Sequence, residues 1–163
     1  MNRDRMPLRI FNGGSRCEAT RSQYIAIWRC RKRDHIVVRA LDGTDVSVDE
    51  NVITLIAGPY PHDVGPHTYV HGIDRGVLVT AEDAAALAAR LPVHPPLARL
   101  PRPDLTPVWL KGSAVTALRP PITTEQQAPG SVNAVVTVGG LHQAVHETVE
   151  AARAIVNAPG GTV

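Results

Sequence analysis

Residues 108–157 carry the most regular alternation of apolar and polar positions in the chain. They predict strand, tight turn, strand and helix in close succession. Residues 108–118 (VWLKGSAVTAL) are rich in Val, Leu and Trp around Gly112. They read as one strand, or as two short strands kinked at that glycine. Arg119-Pro120-Pro121 ends the run, because proline has no N–H to give to a ladder. Residues 122–130 are polar and finish on the turn pair Pro129-Gly130. Residues 132–138 are β-branched and nearly unbroken, which predicts a strand covered on at least one face. Gly139-Gly140 supplies the positive φ angles of a two-residue hairpin turn, and residues 141–145 return as the partner strand. Glu147 or Thr148 opens a helix, with Glu147 and Glu150 at its positive end. Val149, Ala152, Ile155 and Val156 share one face at three- and four-residue spacing, and Asn157, Pro159 and Gly160-Gly161 stop it.

The earlier chain gives shorter signals. Residues 1–22 are basic and polar, and Leu8, Ile10 and Phe11 form a short strand or belong to an arm. Residues 23–30 alternate as a strand, with Tyr24, Ala26 and Trp28 on one side and Ile25 and Ile27 on the other. Residues 35–41 and 44–48 flank Asp42-Gly43, the strongest hairpin signal present. Residues 52–56 are a further apolar run, followed by a loop (GPYPHDVGPHTYVHG, 58–72) holding three prolines. Residues 69–73 and 76–79 predict a hairpin across Asp74-Arg75. Thr80 is placed to cap the next helix by accepting from the N–H of Asp83. Residues 84–91 are the most helix-prone run, with Arg90 near the negative end.

Residues 92–107 contain six prolines in sixteen positions. That composition excludes a helix or a central strand and reads as a semi-stiff connector. The expected fold is therefore α+β and β-rich, with two small β-hairpin-plus-helix modules joined by a Pro-rich connector. Its divisions are a basic β region plus first module over 1–91, the connector over 92–107, and the second module over 108–163. The order of apolar run, Pro loop, hairpin and helix occurs in 52–91 and again in 114–156, at low identity.

Residues 114–118 (AVTAL), Gly139-Gly140 and the helix opening Val145-His146-Glu147-Thr148-Val149-Glu150 resemble the small FlbD-like proteins. They also resemble short phage and bacterial proteins of the same layout. The resemblance covers about a third of the chain. It brings no catalytic residues; it implies a compact hairpin-plus-helix module that oligomerises or binds a partner.

Charge divides the chain more sharply than its net +2 suggests. Residues 1–39 carry ten Lys/Arg and three Asp/Glu, a net +7; residues 40–163 carry seven and twelve, a net −5. The halves can attract across subunits, or the basic start can face an anion. Arg16, Arg21, Arg29, Arg31, Lys32 and Arg33, with Tyr24 and Trp28 among them, are the candidate ligand-binding residues. Guanidinium groups grip phosphate in a bidentate way, and aromatic rings stack on bases. The plainer reading is a solvated strand edge on which charge blocks edge-to-edge pairing.

Other chemistry is thin. His62, His67 and His71, with Asp63 and Asp74, are spaced for zinc or for a titrating switch, but a His-rich surface loop is the simpler reading. His142 and His146 fall in a strand and at a helix start, so they are not expected to converge. Cys17 and Cys30 form no metal site alone and are expected as reduced thiols. There is no serine elbow, phosphate loop or dinucleotide fingerprint, and no apolar run of membrane-spanning length. The expectation is a non-enzymatic accessory protein without a cofactor. It is phage-encoded and homo-oligomeric, holding a partner protein or an anionic small ligand such as a nucleotide signal. A virion component and a nucleic-acid binder are the alternatives. The expected location is the cytoplasm or the virion, not a membrane.

Overall fold

The computed structural model describes residues 16–21, 26–31, 35–73, 76–91, 95–127 and 130–163. Contacts divide the chain into two units, Met1–Asp34 and His35–Val163.

In the first unit, β1 (Arg16–Arg21) pairs antiparallel with β2 (Ala26–Arg31). The strand expected over 23–30 is thus found from Ala26 onward; residues 23–25 and the possible strand at Leu8–Phe11 lie outside the described residues. β1 itself is a finding that the polar sequence before Ser22 did not announce. Its RCEATR run sets only two small apolar residues, Cys17 and Ala19, among polar ones, a short signal for a strand.

The second unit is β-rich α+β. Its first hairpin is β3 (His35–Arg39) with β4 (Asp45–Asp49), in register Val37 to Ser47. The turn is the expected one. Gly43 adopts φ +88°, and the Asp42 carboxylate accepts from the amide and hydroxyl of Thr44. β5 (Leu55–Ala57), β6 (Thr68–Ile73) and β7 (Gly76–Thr80) follow, then α1 (Ala84–Arg90). Next come β8 (Ala98–Pro101), β9 (Pro107–Leu110), β10 (Val115–Arg119), β11 (Ala134–Val138), β12 (Leu141–Val145) and α2 (Val149–Asn157).

Five strands form one antiparallel sheet in the order β7-β6-β5-β9-β8, and three form another in the order β10-β11-β12. The chain crosses between them at Gly112, where a single 3-10 turn bends β9 into β10. A Cβ at Gly112 would lie 2.7 Å from the Val156 carbonyl oxygen, so the crossing needs glycine.

Period-two alternation buries both faces of the five-stranded sheet. Leu55, Ala57, Leu100, Val108 and Leu110 face Val136, Val138 and Val145 of the second sheet and Ala152 and Val156 of α2. Ile56, Val70 and Trp109 face the opposite way, onto Leu87 and Leu91 at α1 and Val38 and Val48 of the first hairpin. Three layers result, with the five-stranded sheet in the middle.

Two expectations change here. Residues 92–107 are not a free connector, because β8 and the start of β9 lie within them and pair through Leu100 and Val108. The prolines still obey their rule. Pro101 ends β8, which is the edge strand, and Pro107 is the first residue of β9, positions where a missing N–H is tolerated. Because β9 sits between β5 and β8, the stretches read as separate modules share one core. The helix cap is the second change. Asp83, not Thr80, caps α1, accepting from the Ala86 amide at 2.9 Å. Thr80 is the last residue of β7, buried and bridged to Ala40, and its hydroxyl accepts from the Glu82 amide instead. The later helix follows expectation. Thr148 caps α2 through the Ala151 amide, and Ala152 and Val156 are buried on the predicted face.

Candidate functional site

The β1–β2 register orders the arginine cluster. Arg16 stands opposite Arg31, Glu18 opposite Arg29, Ala19 opposite Trp28 and Arg21 opposite Ala26. Residues facing each other across an antiparallel pair share a face, and so do positions two apart along a strand. Arg16, Glu18, Arg29 and Arg31 therefore occupy one face. Arg21, Trp28, Cys17 and Cys30 occupy the other. Tyr24, Lys32 and Arg33 lie outside the described residues.

A second grouping forms in the other unit, at the end of the five-stranded sheet where the 58–67 loop meets the β8–β9 turn. Arg102 is only 3% exposed. Its guanidinium donates to the Thr106 hydroxyl at 2.7 Å, the Gly58 carbonyl at 3.3 Å and the Pro59 carbonyl at 2.5 Å, and Asp104 lies 3.6 Å away. It also stacks over the Tyr60 ring, 4.9 Å from the centroid. The Tyr60 ring tilts against Tyr69 at 5.2 Å, and His67 meets Tyr69 edge-on at 6.5 Å. The Tyr60 amide holds the Asp63 carboxyl below the ordinary carboxylate range, and a hydrogen bond to Asp63 raises the Tyr69 phenol. Burial resists ionisation of Asp104, but hydrogen bonds from the Thr106 hydroxyl and amide outweigh it and leave that carboxyl lowered.

This grouping is a clamp. Each of the three guanidinium nitrogens donates to a neutral oxygen, so Arg102 is held by both loops and ties them together. The turn it braces holds Leu105 at φ +66° and 67% exposed. A β-carbon in that region is strained by about 1–2 kcal/mol.

Beside the clamp lies a cleft of about 290 Å³ walled by Pro59, Pro66, Pro107 and Trp109 and by Glu82 and Ala85. Trp109 also walls a neighbouring cleft of about 300 Å³ with Ala88, Leu91, Pro96 and Leu97. The carboxylates at the first cleft are already engaged. Glu82 pairs with Arg90 at 2.8 Å and accepts from the Arg39 amide, and Asp83 caps α1. The clefts offer apolar and proline surface rather than acid–base chemistry.

The histidines of the 58–72 loop do not converge. His67 packs on Tyr69. His71 sits in β6 opposite Leu55 and Val77, where burial lowers its pKa. Asp74 lies outside the described residues. Among the described residues no group of three or more His, Cys, Asp or Glu side chains is placed to hold a metal ion. His142 shares a 3.0 Å hydrogen bond with Thr137 across the β11–β12 pair, while the His146 amide donates to the Pro101 carbonyl. The His142 ring and the His146 backbone thus bond to different strands.

Arg102, Tyr60 and Trp109 were missed as site residues at the sequence level. Arg102 meets partners 43 and 44 positions away, and no local pattern encodes that. Among the described residues no helix is long and apolar enough to cross a membrane. Comparison with protein-family models, with curated proteins and with solved structures finds no match for this chain.

Proposed function

We propose that the chain is a non-enzymatic binding protein that holds a phosphate-bearing small anion, of the nucleotide class, on the Arg16/Arg29/Arg31 face of its β1–β2 hairpin. The register of that hairpin carries the reading. Arg16 and Arg31 are directly opposite, and like charges so placed destabilise a strand pair. Glu18 offsets only one of the three arginines. An anion of two or more charges relieves the repulsion and takes bidentate hydrogen bonds from the guanidinium forks. Trp28 falls on the other face, which favours a compact anion over a single strand whose bases and phosphates need aromatic and arginine together. The second unit serves as scaffold. Assembly of copies through sheet edges completes the proposal.

The test is calorimetric titration of the full chain with inorganic pyrophosphate, with ATP and with a single-stranded oligonucleotide, at two salt concentrations. Expected is binding of ATP or pyrophosphate that weakens about tenfold on Arg16→Ala and again on Arg31→Ala, one charge-assisted contact being lost each time. Binding of the oligonucleotide alone, falling steeply with salt, replaces the proposal with the nucleic-acid reading. No heat with any of the three rejects it.

A further inference from the structure

Cys17 and Cys30 are the two cysteines of the chain. The β1–β2 register sets them directly opposite each other, one pair in from the Arg16–Arg31 end. Opposite residues of an antiparallel pair have Cα atoms about 5.5 Å or about 4.5 Å apart, according to whether the pair is hydrogen-bonded. Both separations lie inside the range of roughly 4.4–6.8 Å that a disulfide spans. Opposite residues also share a face, so the two positions belong to one side of the ribbon. A slip of a single residue would send them to different faces, which is why spacing in the sequence did not decide the matter.

We infer that Cys17 and Cys30 form a reversible cross-strand disulfide that locks the β1–β2 hairpin. A two-stranded hairpin is marginal in water by itself, and this one carries opposed arginines at its open end. A covalent bond beside that end restricts the open chain and holds Arg16 and Arg31 in register. Arg16 precedes Cys17, and Arg29 and Arg31 flank Cys30 in sequence. Cationic neighbours favour the thiolate that starts exchange. The oxidant is a low-molecular-weight disulfide. One cysteine thiolate attacks it and displaces one small thiol; the second thiolate attacks the mixed disulfide and displaces the other. The protein gives up two electrons and two thiol protons, and the small disulfide is reduced to two thiols.

The disulfide stands on the register alone. Its consequence, tighter anion binding in the oxidised form, rests on the function proposed above. The full chain is incubated with oxidised glutathione or with dithiothreitol, its free thiols are blocked, and it is digested with trypsin. Expected from the glutathione arm is an intact monomer lighter by two hydrogens, and a digest in which Cys17–Arg21 is bonded to Cys30–Arg31. Cys17→Ser should abolish that species and leave Cys30 as a glutathione adduct. Glutathione on both cysteines of the wild type, or bonding only between chains, overturns the inference. ATP titration of the two forms then reads the consequence, with affinity about fivefold higher when oxidised, as expected for a preorganised site. Linked peptides with equal ATP affinity overturn the redox control and leave anion binding intact. Linked peptides with no ATP binding in either form confirm the disulfide and reject the proposed function.

Discussion

Replacing Arg102 by Met tests whether that side chain is a clamp. The substitution keeps an unbranched stem of similar reach and removes every donor. Three hydrogen bonds vanish, to Thr106, Gly58 and Pro59, together with the stacking on Tyr60. Hydrogen bonds from a charged group contribute roughly 1.5–3 kcal/mol each, but here part of that returns. Pro59 is exposed and its carbonyl regains water, Asp104 is partly exposed, and the guanidinium no longer needs desolvating. The buried Gly58 carbonyl is what remains unpaired, while the Thr106 hydroxyl keeps its hydrogen bond to Asp104. The expected net loss is about 3 kcal/mol, read as a fall in the urea midpoint at unchanged slope and in Tm by about 10 °C. Arg102→Lys should lose about 2 kcal/mol, because one ammonium cannot span both loops as the planar fork does. A midpoint for Arg102→Met within about 0.5 kcal/mol of the wild type would refute the clamp, since a surface substitution does no more.

Three other outcomes follow from the same packing. Arg119 grips Glu125 with two 2.7 Å bonds and, with the Ile122 amide, holds its pKa down to about 2. A depressed carboxylate stabilises above its unfolded value and loses that contribution as pH falls through the folded one. The stability gap between wild type and Glu125→Gln should therefore close between the ordinary value of 4.5 and about 2; a gap constant across that window refutes the pairing. Gly72→Ala should destabilise by about 3 kcal/mol or more in denaturant titration, because φ is +104° and a Cβ would overlap the Val52 carbonyl oxygen. Leu100→Ala, fully buried between the sheets, should lose about 2–5 kcal/mol by the same assay, and a loss under 1 kcal/mol would mean that β8 is not part of the core.

Sequence by itself determined the elements whose cause is local. Asp42-Gly43 and Gly139-Gly140 specify their hairpins through backbone freedom at Gly43 (φ +88°) and at Gly139 and Gly140 (φ +55° and +84°). Thr148 and the spacing of Ala152 and Val156 specify α2. Gly112 was legible as a kink. The arginine cluster was legible as charge, not as geometry. Only the fold decided that β9 lies between β5 and β8, because strand order is set by which apolar faces can be covered together. Period-two patterning is the same for any order. It likewise decided that a proline-rich stretch becomes a sheet edge, since a strand in that place needs few N–H donors. Arg102 became a buried clamp because loops distant in sequence meet there and their carbonyls need a donor away from water. Pairing register, finally, sorted Arg16, Arg29 and Arg31 from Trp28 and put Cys17 against Cys30, because a face is a property of two strands together and of neither alone.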